Sequence, residues 1–341
     1  MCLRLTALFF SLSILAGDPW LFLKGESGPG KGQHVVFVTG EEYYRSEEGM
    51  SMFAKILSQR YGYDCTVLFA TDKKTGVINP NLTDHIPGLE RLADADLMVV
   101  FARFRELPDS EMARIVEFVN AGKPVIGIRN ATHAFRYVKN KGSKYLAWDW
   151  KSKAWPGGFG QQILGDTWVS HYGKFQKEAT LAHANEAHRE HPVMRGIGKT
   201  LFCRTDVNGV NKLKPEDVVL FHGQVLSGPD ADDPPVTDAR KDVRMPLAWF
   251  KTYTAQSGTT GRSFCTTAGA SVDWLEEDLR RLLVNAVFFL SDVEVPATTD
   301  VSFVEPYAPS AFAHRSNEEW GELGLRPADF ALRSQSTQKG H

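Results

Sequence analysis

Between Lys123 and Phe135 the chain runs Pro124-Val125-Ile126-Gly127-Ile128 and then turns abruptly polar with Arg129-Asn130-Ala131-Thr132-His133. A short apolar run bounded by turn residues reads as a strand covered on both faces, and such strands belong to parallel sheets. In an open sheet of that kind, ligands bind beyond the carboxyl ends of the strands. Arg129, Asn130 and His133 therefore stand where chemistry is expected.

The same alternation recurs along the first half. Residues 34–38 read as a buried strand, and Met50, Phe53, Ala54 and Leu57 follow at helical spacing. Residues 65–70 and 96–104 read as further strands. A helix is predicted over 108–120, with Met112, Ile115, Val116 and Val119 on one face and Gly122 ending it. Strands and helices alternating at such short intervals require right-handed crossovers and a sheet covered on both faces. The second half predicts strands at 218–221, 246–253 and 262–267, in part antiparallel. A helix over 274–290 carries Leu275, Leu279, Leu282, Leu283, Ala286 and Phe289 on its apolar face. Residues 139–170 form an elaborated loop in which Trp148, Trp150 and Trp155 act as anchors or as a wall over the crevice.

The first residues are of a different kind. Arg4 precedes an apolar run from Leu5 to Ala16 that is too short to span a bilayer, the pattern of a secretory signal. Residues 1–17 are therefore read as a signal peptide directing export to the periplasm or the exterior. Residues 18–32 read as a flexible lead-in and 33–292 as one α/β domain. The remainder, 293–341, is a tail either draped over the domain or partly disordered. The 341 residues are 43% hydrophobic, enough for a sizeable core, and 39 basic against 41 acidic residues leave a net charge of −2. With no long run of either sign, that balance points away from nucleic acid and, once the signal is removed, from membrane. It favours a small, nearly neutral ligand and leaves oligomeric state open. Cys65, Cys203 and Cys265 remain after the signal, with no CxxC spacing, and at most one disulfide can form. Cys65 and Cys265 read as small core residues.

Familiar cofactor motifs are missing. Thr39-Gly40-Glu41-Glu42-Tyr43-Tyr44 lacks the glycine spacing that a pyrophosphate needs. His183, His188 and His191 are disfavoured as zinc ligands, because His191 precedes Pro192 and is pushed out of helical geometry. No cofactor or metal is expected. The sequons at Asn81 and Asn130 are short enough to occur by chance.

Taken together, residues 34–40, 96–101 and 118–128, the segment His191-Pro192-Val193-Met194-Arg195-Gly196-Ile197, and residues 245–249 and 261–269 resemble the ThuA-like, or trehalose-utilisation, family in order and spacing. The resemblance implies a three-layer flavodoxin-like fold of the class I glutamine amidotransferase-like type. Its mainly parallel sheet would carry helices on both faces and some antiparallel additions, and its role would lie in carbohydrate metabolism. Amidotransferase relatives hold a nucleophilic cysteine at the turn after the 124–128 strand, and the ThuA-like family usually a histidine; here the position is Arg129. The family's closing Gly-His is Gly269-Ala270. Arginine stays protonated, so it is neither nucleophile nor base, but its fork can hold a carboxylate, a phosphate or sugar oxygens. Glutamine hydrolysis is not expected.

Catalysis then falls to His133 or to one carboxylate of Glu41 and Glu42, unless these acids only cap the helix beginning near Ser46. Substrate contacts are expected from Arg129, Asn130, Arg103, Phe104 and His222, while Arg105 reads as surface. The expectation is an exported protein that hydrolyses, eliminates or isomerises a carbohydrate. The alternative is a non-catalytic sugar-binding module using the same crevice.

Overall fold

The computed structural model describes residues 17–333. Its centre is five parallel strands: β1 (Trp20–Leu23) lies antiparallel at one edge, followed across the sheet by β3 (Asp64–Leu68), β2 (His34–Gly40), β4 (Leu97–Ala102), β5 (Val125–Ile128) and β10 (Thr260–Thr266). Beyond β10 the sheet continues antiparallel through β9 (Met245–Thr254), β8 (Val218–Val225), β6 (Thr180–Ala184) and β7 (Thr200–Cys203). The antiparallel part, expected as additions, is as large as the parallel centre.

The two-sided burial read from the sequence is visible residue by residue. Along β2, Val35 and Phe37 join the core on one face, while Val36 and Val38 join the core on the other. Successive side chains of a strand point to opposite faces, so an unbroken apolar run fits only a sheet covered twice. Helices α1 (Ser46–Tyr61) and α3 (Glu277–Leu290) cover the first face, and α2 (Asp109–Asn120) the second.

Three segments differ from expectation. Residues 20–23, assigned to a flexible lead-in, pair with β3 from Trp20 opposite Leu68 to Leu23 opposite Cys65, because Leu21 and Leu23 gain burial at the sheet edge. The helix predicted over 274–290 begins at Glu277, after a separate 3-10 turn at Ser271–Leu275. Asp273 holds that turn by accepting the amides of Gly269 and Ala270, and extended Glu276 separates it from α3. The tail is draped as far as residue 333: Phe303, Tyr307, Phe312 and Phe330 pack on the first core, and α4 (Asn317–Leu323) buries Trp320. Of the segment 1–17 read as a signal peptide, residues 1–16 lie outside the described residues. Cys65, Cys203 and Cys265 are buried free thiols.

Candidate functional site

The carboxyl ends of β2, β4 and β5 meet a cavity of about 240 Å³. Two neighbouring strand ends carry non-glycine residues in the left-handed region, Phe104 with φ 53° and Arg129 with φ 46°. Left-handed backbone costs energy without glycine, and such strain collects at functional turns. Asn130 and His133, in the turn after β5, line the cavity together with Arg103, as their position in the sequence implied.

His133 is buried between rings, with Phe104 and Trp168 each 5.2 Å away between centroids and Trp150 behind. Burial, and after it the charge of Arg103, drive its pKa well below the ordinary value, so the imidazole is neutral. Phe104 thus supports His133 and lies under Arg103, whose guanidinium carbon is 4.3 Å from its ring centre. Trp148 is a buried loop anchor stacked on Phe159, whereas Trp150 backs the cavity histidine.

Arg129 requires correction. It is fully buried, and its Nη1 donates to Thr205 Oγ1, Asp206 O and Thr267 O, while Nη2 donates to Tyr44 Oη and Asp206 Oδ1. Those donors are spent on the protein, so Arg129 braces the cavity wall instead of gripping a ligand. Its role was misread because charge is visible in a sequence and burial against a distant aspartate is not.

The carboxylates are also redirected. Glu41 turns into its own loop and accepts the amides of Tyr43 and Tyr44 through Oε2 and Asn130 Nδ2 through Oε1, at 2.9 Å for Tyr43 and Asn130. Burial, with the adjacent Glu42 next, lifts its pKa to about 7. It positions Asn130 and does not line the cavity. Glu42 is ion-paired with Arg103. His222 sits within β8, opposite His183 of β6, because the strand continues to Val225; it is absent from the cavity lining. Arg105, read as surface, is buried and donates to the carbonyls of Pro80, Leu82 and Arg103.

The residue that sequence reading missed is His171. Its side chain is 37% exposed and lines the cavity, and its Nδ1 lies 2.6 Å from Asp206 Oδ2. A bridge between His171 and Asn208, with the Tyr172 amide bonded to Val207 O, holds its loop against the segment bearing Asp206. Trp168, Phe175, Tyr43 and Tyr44 complete the walls. The result is a polar floor inside an aromatic enclosure, with one partly exposed histidine oriented by a buried carboxylate. No group of three or more metal-binding side chains converges among the described residues.

A family model described as ThuA, trehalose utilisation, matches residues 34–290. The chain belongs to the ThuA family. Its structure is similar to a protein described as ThuA-like from Bacteroides uniformis ATCC 8492, at 13% identity over 78% of this chain and 93% of the other, with a TM-score of 0.46. A second ThuA-like protein, from Parabacteroides merdae ATCC 43184, is 13% identical over 85% of this chain and 99% of its own, with a TM-score of 0.48. No curated protein matches the chain. The matched segment therefore covers β2 to β10 and all the cavity residues named above, while the edge strand β1 and the tail beyond residue 290 lie outside it.

Proposed function

We propose that this ThuA domain performs acid–base chemistry on a sugar or sugar derivative, as a hydrolase, lyase or isomerase. The observation that carries the reading is His171, held by Asp206 and open to an aromatic, polar cavity. The ring takes a proton from a substrate hydroxyl or from a carbon beside a carbonyl. Asp206 fixes the tautomer and stabilises the resulting imidazolium, which returns the proton to the departing oxygen or the neighbouring carbon. Neutral His133 and Asn130 offer hydrogen bonds to hydroxyls, and Trp168, Tyr43 and Phe175 offer faces to a sugar ring. With Arg103 paired to Glu42, the site favours a neutral ligand over a phosphate.

Incubation of the protein with disaccharides and oxidised (keto) sugars is expected to show turnover that falls by about 10²–10⁴-fold in His171→Ala, with the fold retained. Binding of sugars without turnover of any would replace the enzyme reading with a sugar-binding module. Export is proposed on the apolar run from Leu5 to Ala16, and a mature chain beginning near Asp18 by N-terminal sequencing is its test.

A further inference from the structure

From Pro306 to Ser316 the tail runs with no helix or strand of its own. The backbone of such a segment must find its partners elsewhere. Four of its carbonyls accept from side chains of the domain: Ser310 O from Ser271 Oγ at 2.9 Å, Phe312 O from Gln176 Nε2 at 2.8 Å, Ala313 O from Arg45 Nη2 at 2.6 Å and Arg315 O from Asn81 Nδ2 at 2.8 Å. The strap is thus seated by four separate segments of the domain. Two of the holders, Arg45 with φ 56° and Gln176 with φ 59°, are non-glycine residues in the left-handed region. That conformation persists where the surrounding structure over-determines it, and it collects at functional sites.

The seating delivers Phe312 to the outside of the cavity wall. Its ring stacks on Tyr44, 5.5 Å between centroids, and meets Phe175 in a T-shape at 5.7 Å. Tyr44 and Phe175 lie 5.9 Å from each other, so the three rings close into one cluster. Tyr44 and Phe175 line the cavity and Phe312 backs them. Two routes lead from this cluster to His171. Phe175 lies against the imidazole, 5.7 Å between centroids. Tyr44 Oη accepts from Arg129 Nη2, and Arg129 in turn holds Asp206, the carboxylate on His171 Nδ1.

We infer that Phe312 is a positioning residue for His171, acting through Phe175 and Tyr44, and that the tail belongs to the site although it lies beyond the matched segment. Its part in turnover rests on the acid–base reading above. A side chain 37% exposed, as that of His171 is, has room to turn away from its partner. A Phe175 ring caged by Phe312 and Tyr44 cannot swing aside, so the imidazole stays against it with Nδ1 on Asp206. Small displacements of a reacting group are costly to rate, which makes such backing a functional element and not only a source of stability.

The test uses the full chain and diethyl pyrocarbonate, which acylates accessible neutral imidazoles. The rate at which His171 is modified is read by mass spectrometry of its peptide, with His188, outside the cavity lining, as internal reference. Phe312→Ala is expected to raise the His171 rate roughly two- to tenfold, the range that one lost aromatic pair gives, and Phe312→Leu to return it most of the way. Phe303→Ala removes a ring packed on Tyr307 elsewhere along the same tail and controls for lost tail packing; it should lower the melting temperature and leave the His171 rate unchanged. An unchanged rate in Phe312→Ala, or an equal rise in Phe303→Ala, overturns the inference. With a sugar that the panel above shows to be turned over, kcat should fall about tenfold or more in Phe312→Ala while KM changes little. An unaltered kcat overturns the inference as well. A panel without turnover overturns the sugar reading alone, and the modification rates then decide the role of Phe312.

Discussion

Asp206 lies 2.6 Å from His171 Nδ1 through Oδ2, and its other oxygen, Oδ1, is 3.0 Å from Arg129 Nη2. One buried carboxylate thus orients the cavity histidine and neutralises the arginine that fills the expected nucleophile position. The two roles separate under mutation.

Asp206→Asn keeps the shape but removes both the charge that steadies a protonated His171 and the partner of buried Arg129, so a loss of stability accompanies it. Turnover of the sugar identified in the panel is expected to fall by about 10²-fold or more, with substrate affinity little changed. Steady-state kinetics on a variant shown to be folded by circular dichroism make the comparison. Full activity would remove Asp206 from the reaction.

Arg129→Met leaves Asp206 buried without its cationic partner. Losing one member of a buried pair costs about 3–5 kcal/mol, whereas replacing both by apolar groups is far milder. Urea denaturation should show a large loss in Arg129→Met and a smaller one in the double variant Arg129→Met/Asp206→Leu. A single-variant loss below about 1 kcal/mol would show that the pair does not support the fold.

Glu47, on α1, is buried with neither carboxylate oxygen partnered among the described residues. Burial, and then the neighbouring Glu48, raise its pKa to about 8. The folded state therefore keeps a proton that the unfolded chain releases near the ordinary value of 4.5, so stability is highest below that value and falls as pH rises to about 8. Glu47→Gln should match the natural protein near pH 4 and exceed it near pH 9 by a few kcal/mol, as about 1.4 kcal/mol per pKa unit implies. Denaturation midpoints at the two pH values decide it; parallel curves would refute the buried-proton account.

Gly160 packs against the turn that carries His133. A Cβ there would fall 1.9 Å from Thr132 O and 2.8 Å from Asp166 O, and backbone atoms have no rotamer into which to retreat. Gly160→Ala is expected to cost about 1–3 kcal/mol and to displace His133, lowering turnover along with the melting temperature. A variant with unchanged melting and kinetics would show that the turn yields freely.

Much of the domain was legible because its signals are local. The apolar runs ending at Val38 and Ile128 show strands covered on both faces, and Met112, Ile115 and Val119 repeat at helical spacing on α2. The polar break after Ile128 pointed to Asn130 and His133, and the end of the neighbouring strand to Arg103, and all three line the cavity. His171 and Asp206 carried no such mark. They are separated by 35 residues, lie in a loop and beyond a strand end, and have no spacing that announces a shared task.

What the sequence by itself determined is the parallel centre of the sheet and the edge at which it opens, since burial on alternate faces is written in neighbouring residues. Tertiary structure decided which charges meet. Arg129 became a brace because Tyr44, Thr205 with Asp206, and Thr267 converge on it from three distant segments, and His171 became the open imidazole because the same aspartate faces its loop. A charged side chain advertises its chemistry locally, but whether that chemistry is spent inward or offered to a ligand depends on partners that only the folded chain brings within hydrogen-bond distance.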